Sequence, residues 1–176
     1  NLLPFTSLES KTFASVAIGT IQGNIFQQYL GKYAPFENHT IVSKHAAISA
    51  YQAVLEKVKG KSVVVVGVFG MNNSIGSKYG LHSNTLEFIN QLSKQTKVVV
   101  VPFGSPYSLQ YFEAAQYITC AYDDDEMMQK AVPQVLFGAV GNQARLPVSA
   151  SSNIKEGMGV DIINLRRLGY SLPEAV

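Results

Sequence analysis

Two runs of valine, Val63-Val64-Val65-Val66-Gly67-Val68 and Val98-Val99-Val100-Val101, constrain this chain more than any other feature. Successive side chains of a strand point to opposite faces of its sheet, so a run without alternation is apolar on both faces. Strands of that kind are covered by helices on both sides, which is the situation of a parallel sheet. Between the runs, Leu81, Thr85, Phe88, Ile89 and Leu92 recur at helical spacing. Strand, helix and strand then form a βαβ unit whose crossover is expected to be right-handed.

The alternation extends along the chain. Phe13-Ala14-Ser15-Val16-Ala17-Ile18 reads as a strand ending at Gly19, and residues 21–33 as a helix with Ile25, Tyr29 and Leu30 on one face. Thr40-Ile41-Val42 is a weaker strand signal. Ser43 reads as an N-cap for a helix carrying Ile48, Tyr51, Val54, Leu55 and Val58, with Gly60 as its stop. Residues 106–112 suggest a short helix and residues 117–122 a fifth strand. Asp123 is expected to cap a helix whose first turn holds Asp124, Asp125 and Glu126, where negative charge suits the helix dipole. Pro133 is expected to kink that helix or to split it in two. Residues 146–149 read as an edge strand, and the last twenty residues as an exit linker. This pattern predicts an α/β fold, a three-layer αβα sandwich with a mostly parallel, doubly wound sheet.

Composition bounds the function. The chain has 176 residues, 47% hydrophobic and 15% charged, which suits one domain with a covered sheet. Its 14 Lys and Arg against 12 Asp and Glu are scattered in the sequence, so nothing marks a nucleic-acid partner. No apolar run is long enough for membrane insertion. The single Cys excludes an internal disulfide.

Several motifs fail on context. Gly60-Lys61-Ser62 lacks the upstream glycine of a phosphate-binding loop, since Leu55 stands there, and it precedes a strand instead of opening a helix. Ser152-Asn153-Ile154-Lys155 matches S-x-x-K, but the partner motifs of serine β-lactamases are missing. No dinucleotide or nucleophile-elbow motif occurs, and no cofactor is expected. The acidic run 123–126 lacks calcium-loop spacing. His39, His45 and His82 lie on separate elements without metal-ligand spacing, so no metal site is expected. Cys120 falls inside a predicted strand and reads as a small apolar side chain. Glycoside hydrolysis needs two suitably placed carboxyl groups, and the eight Glu and four Asp offer no convincing catalytic pair. Ligands on doubly wound sheets bind beyond the carboxyl ends of the strands. There the loop of residues 69–79 offers Asn72, Asn73, Ser74, Ser77 and Lys78.

Asn1-Leu2-Leu3-Pro4-Phe5 at the start and Leu136-Phe137-Gly138 with Arg145-Leu146-Pro147-Val148-Ser149 near the end form two ends of one pattern. Between them stand Phe103-Gly104-Ser105-Pro106-Tyr107 and Ala121-Tyr122-Asp123-Asp124-Asp125-Glu126. In this order the segments resemble the C-terminal α/β-sandwich domain of β-N-acetylglucosaminidase-like members of glycoside hydrolase family 3. Ala144 departs from the glycine usual in that pattern. The resemblance implies a linker from a missing N-terminal barrel at residues 1–12, the sandwich at 13–150 and a C-terminal extension or linker at 151–176. It implies that the barrel of the same parent chain is the main partner and carries catalysis, so that the chain alone is inactive and carbohydrate is met through the parent. Asn72, Asn73, Ser74 and Lys78 are then a substrate-proximal loop. The alternative, from the β-glucosidase-like branch, is a domain that binds sugar or lends an acid/base Glu. Residues 165–174 further resemble a connector to a serine hydrolase-like domain, and the family suggests the cell envelope, periplasm or secretion.

Overall fold

The computed structural model describes residues 2–170. Asn1 of the opening motif, and Ser171, Leu172, Pro173 and Glu174 of the expected connector, lie outside the described residues. Five strands, β1 (Phe13–Ile18), β2 (Phe36–Ile41), β3 (Val63–Val68), β4 (Lys97–Pro102) and β5 (Tyr117–Ile118), form one sheet in the order β2-β1-β3-β4-β5. Every pairing is parallel. Four α-helices, α1 (Ile25–Leu30), α2 (Ile48–Lys57), α3 (Ser83–Ser93) and α4 (Glu126–Leu136), cover it, with α1 and α4 together on one face and α2 and α3 on the other. This is the doubly wound three-layer sandwich the pattern predicts.

The valine runs behave as physical chemistry requires. Val64, Val66, Val98 and Val100 pack under α2 and α3 against Tyr51, Val54, Phe88 and Leu92. Val63, Val65, Val99 and Val101 point the other way and join Phe26, Leu30, Val132 and Leu136. At Gly67 this second face has no side chain, and the rings of Phe26 and Phe69 occupy the space.

Local details depart from expectation for identifiable reasons. The strand β2 begins at Phe36, not Thr40, and its sequence Phe-Glu-Asn-His-Thr-Ile is largely polar because it is an edge strand. The buried side of α1 is Phe26, Gln27 and Leu30, whereas Ile25 and Tyr29 are half-buried. Gln27 tolerates burial because its amide donates to Ser15 Oγ (2.9 Å) and the His39 carbonyl (2.8 Å), and accepts from Asn24 Nδ2 (2.9 Å). Ser43 does not cap α2. Its hydroxyl accepts from the His45 amide, and the N-cap position is Ala47. The cap of α4 is Asp125, which accepts from the Met128 amide at 2.7 Å, so Asp123 and Asp124 precede the helix. Pro133 does not split α4, which runs unbroken from Glu126 to Leu136, and its ring is buried.

The fifth strand is shorter than expected, although the Thr119 and Ala121 amides still donate to the Val100 and Pro102 carbonyls at 2.9 and 3.0 Å before Tyr122 takes a left-handed φ of 63°. Residues 146–149 are not a strand. The chain beyond α4 instead lies against the domain. Asn142 and Ile162 form an antiparallel bridge, and Arg167 donates to the Phe5 and Phe137 carbonyls at 2.7 and 2.8 Å. No helix among the described residues is long and apolar enough to cross a membrane.

Candidate functional site

The strand order places the topological switch between β1 and β3, where the chains leaving the two strands part to opposite faces. The crevice there is walled by glycine. A Cβ on Gly19 would stand 2.7 Å from the Phe69 carbonyl oxygen, and Gly19, Gly70 and Gly80 all have positive φ. The side chain of Lys44, from the loop after β2, threads this crevice. Its Cγ would lie 3.1 Å from a Cβ on Gly19, and its ammonium donates to the Gly70 carbonyl and would lie 3.2 Å from a Cβ on Gly80. The Gly70 amide in turn donates to Asp124 Oδ2 at 3.2 Å. Burial pushes the Lys44 ammonium below its usual pKa, and the Asp124 carboxylate acts in the opposite direction. Loops following β1, β2, β3 and β5 are thereby tied together, and Lys44 occupies the space that ligands take on sheets of this kind.

The loop of residues 69–79 uses part of its polar equipment internally. Asn72 Oδ1 accepts from the Ser74 amide (2.9 Å) and the Ser77 hydroxyl (3.0 Å). The Asn72 amide donates to the Tyr79 carbonyl at 3.0 Å, and the Tyr79 amide to the Ser74 carbonyl at 2.8 Å. Tyr79 is buried, and Lys78 and Tyr79 at φ 50° and 59° lead into left-handed Gly80. Asn72, Ser74 and Ser77 are therefore brought together. The side chains of Asn73 and Lys78 are exposed and make no hydrogen bond among the described residues.

The acids are engaged in other work. Asp124 holds Gly70, Asp125 caps α4, Glu126 pairs with Lys130, and Asp161 meets Arg145 at 2.6 Å. Glu113 accepts from Ser151 and Asn153, which hold its carboxyl below the usual range. The rings of His45 and His82 stand edge to face, 4.9 Å apart, a meeting that sequence separation hides. His82 Nδ1 accepts from the Asn84 amide at the start of α3. Among the described residues no group of three or more His, Cys, Asp or Glu is placed to hold a metal. Burial raises the Cys120 thiol to about 11, so it is protonated at neutral pH. A separate cavity of about 380 Å³ runs beside β5, with Leu3, Leu109, Ile118, Leu136, Leu146 and Ile162 in its wall.

No family model and no curated protein sequence matches this chain. Solved structures do. A glycoside hydrolase family 3 β-N-acetylglucosaminidase from Paenibacillus sp. str. FPU-7 superposes with a TM-score of 0.67 at 16% identity, over 84% of this chain and 29% of that one. The β-glucoside phosphorylase BglX superposes with a TM-score of 0.50 at 13% identity, over 78% of this chain and 26% of that one. The likeness is one of fold. This chain spans less than a third of either solved protein, and within that span its sheet and helices follow theirs, as the expected sandwich requires.

Proposed function

We propose that the chain is a C-terminal α/β-sandwich domain of a family 3 glycoside hydrolase and supports a catalytic barrel without taking part in the chemistry. The observation that carries this reading is the superposition on under a third of a family 3 enzyme. The engagement of Asp124, Asp125, Glu126, Asp161 and Glu113 in structural contacts supports it, since glycoside hydrolysis needs two carboxyl groups free to act. Within this proposal the parent enzyme removes terminal β-linked N-acetylglucosamine with retention, using the barrel's own residues. The test is hydrolysis of a chromogenic β-N-acetylglucosaminide by this chain beside the longer parent polypeptide. Turnover by the parent alone is expected, and turnover by the isolated chain would overturn the reading.

A second reading gives the loop of residues 69–79 a sugar subsite, and the exposed, unengaged side chains of Asn73 and Lys78 favour it. Asn73→Ala and Lys78→Ala in the parent would then raise KM by about tenfold with little change in kcat, as the loss of uniform binding does. Unchanged kinetics would remove it.

A further inference from the structure

The border of the sheet at β5 leaves main-chain groups without partners. Val99 pairs with Tyr117 and Val100 with Ile118 in parallel register, and the Thr119 and Ala121 amides donate to the Val100 and Pro102 carbonyls. Residues 117, 119 and 121 therefore turn their main-chain groups toward β4. In such a ladder the residues between them turn theirs away, toward the side where no strand follows β5. The N–H and C=O of Ile118 and Cys120 meet no hydrogen-bond partner among the described residues. Both residues are half-buried, where a main-chain donor or acceptor without a partner is costly.

Across from this edge stands an arch formed by the chain after α4. It runs out through residues 142–146 and back through 157–162. Its arms are tied by the Asn142–Ile162 bridge, by the Leu146 amide on the Met158 carbonyl (2.8 Å) and by Arg145 on Asp161 (2.6 Å). At Gly159 they approach so closely that a Cβ would stand 2.6 Å from the Ala144 carbonyl oxygen. Among the described residues the arch makes no hydrogen bond to β5, and the cavity of about 380 Å³ lies between the two. Leu3, Leu109, Leu136, Leu146 and Val160 make its wall largely apolar. Arg145, the charged member of the wall, is held by Asp161 and by the Gln143 and Ala144 carbonyls. Cys120 stands in the same wall, and burial accounts for its raised thiol.

We infer that this cavity is a binding site for a small, neutral, largely apolar molecule with neighbouring donor and acceptor atoms, such as a lactam, set against the main chain of Ile118 or Cys120. An apolar pocket with a few convergent polar groups is the usual form of a small-molecule site. An ionised ligand would find no free counter-charge here, and a sugar would need more polar partners than this wall offers. Size follows from volume. An apolar cavity of roughly 150 Å³ takes benzene, so this one suits about two fused rings. The N–H and C=O of one strand residue point the same way, and a lactam completes both bonds at once. Only Ile118 and Cys120 are presented in this manner, which suits a small molecule better than a strand of polypeptide. Nothing in this site depends on the family reading.

The probe is carbostyril, two fused rings with a lactam, titrated into the isotope-labelled chain. Amide chemical shifts report where it binds, and the rate at which iodoacetamide alkylates Cys120, the single cysteine of the chain, reports occupancy. Shifts should saturate within residues 116–122, 142–146 and 157–162 with a Kd below about 1 mM, and alkylation should slow in step. The similarly shaped α-tetralone, which has the acceptor and no donor, should bind about tenfold more weakly. Ala144→Phe and Val160→Trp, both at exposed positions of the wall, should keep the wild-type far-UV spectrum and each weaken carbostyril by at least about tenfold. No saturable shift up to the solubility limit, shifts centred elsewhere, or undiminished affinity in a folded variant would overturn the inference. Equal affinity for carbostyril and α-tetralone would overturn the role given to the strand edge. If acetyl-Thr-Val-Thr-Val-amide shifts these residues and carbostyril does not, the edge belongs to a polypeptide strand and the choice of a small molecule is overturned.

Discussion

Replacing Gly67 with Ala tests the packing beneath the candidate site. Gly67 lies in the middle of the sheet, in register with Ala17 of β1 and Val101 of β4, and its φ is not in the left-handed region, so the backbone accepts Ala. A glycine in such a strand is normally a weakness, and Ala there gains about 0.5–1 kcal/mol through the unfolded chain. Here the added methyl would stand 2.7 Å from Phe69 Cε2 and 3.0 Å from Phe26 Cε1. Neither ring is free to move. Phe69 stacks on Phe103 with centroids 4.3 Å apart, Phe26 meets Phe103 edge-on at 5.2 Å, and all three are buried. Overpacking of this kind costs about 1–3 kcal/mol, which with rings this tightly held exceeds the entropic gain and leaves a net loss of up to about 2.5 kcal/mol. For a domain of this length, that lowers Tm by up to about 10 °C. Urea and thermal unfolding of wild type, Gly67→Ala, Phe69→Leu and the double variant would measure it. Phe69→Leu frees space beside the new methyl, so the double variant should be more stable than the sum of the single losses by at least about 0.5 kcal/mol. A Gly67→Ala protein that melts higher than wild type would refute the steric account. Because Phe69 opens the loop of residues 69–79 and its carbonyl abuts Gly19, the same substitution should speed amide exchange in that loop.

The buried Ser108 hydroxyl has no hydrogen-bond partner among the described residues, so Ser108→Ala should stabilise the domain by about 1 kcal/mol; an equal loss on urea unfolding would reveal a partner for the hydroxyl. With its thiol raised to about 11, Cys120 should be alkylated by iodoacetamide at pH 8 far more slowly than glutathione, and equal rates would contradict its burial. The Glu113 and Glu37 carboxyls lie below their ordinary 4.5, the first chiefly through Ser151 and the second chiefly through Lys61. A depressed carboxyl stabilises the folded state above its unfolded pKa, and that contribution disappears as pH falls through the folded value. Stability should therefore drop below about pH 4.5, and Glu113→Gln should flatten the drop; an unaltered acid limb would show that the Ser151 and Asn153 contacts do not persist in solution.

What could be read from the chain follows from how strongly each residue's environment was written into its neighbours. The valine runs left no choice of face, and α3 matched its stripe because Thr85, Phe88, Ile89 and Leu92 all turn inward. Reading failed where hydrogen bonding replaced burial of carbon. Gln27 belongs to the interior only because Ser15 of β1, the His39 carbonyl of β2 and Asn24, the N-cap of α1, meet its amide. The Lys44 clamp was hidden for a related reason. Its contacts with Gly19 and Gly70 depend on β2 and β3 both flanking β1, a strand order that alternation of helix and strand does not determine.

The misread apolar residues carry the most information. Ile21 opened an expected helix, Val42 closed an expected strand and Ile48 headed the stripe of α2, yet all three are exposed. Val42 and Ile48 fit an apolar pattern in the sequence and find no core in the folded domain, because each, like Ile21, falls just past the carboxyl end of a strand or at the start of the following helix. Local pattern and tertiary burial agree at nearly every other strong signal in this chain, and sites where such agreement breaks tend to be functional. Here Ile21, Val42 and Ile48 break it beyond the carboxyl ends of the strands, while Val160, Ile163 and Leu168 are as exposed along the segment that follows α4.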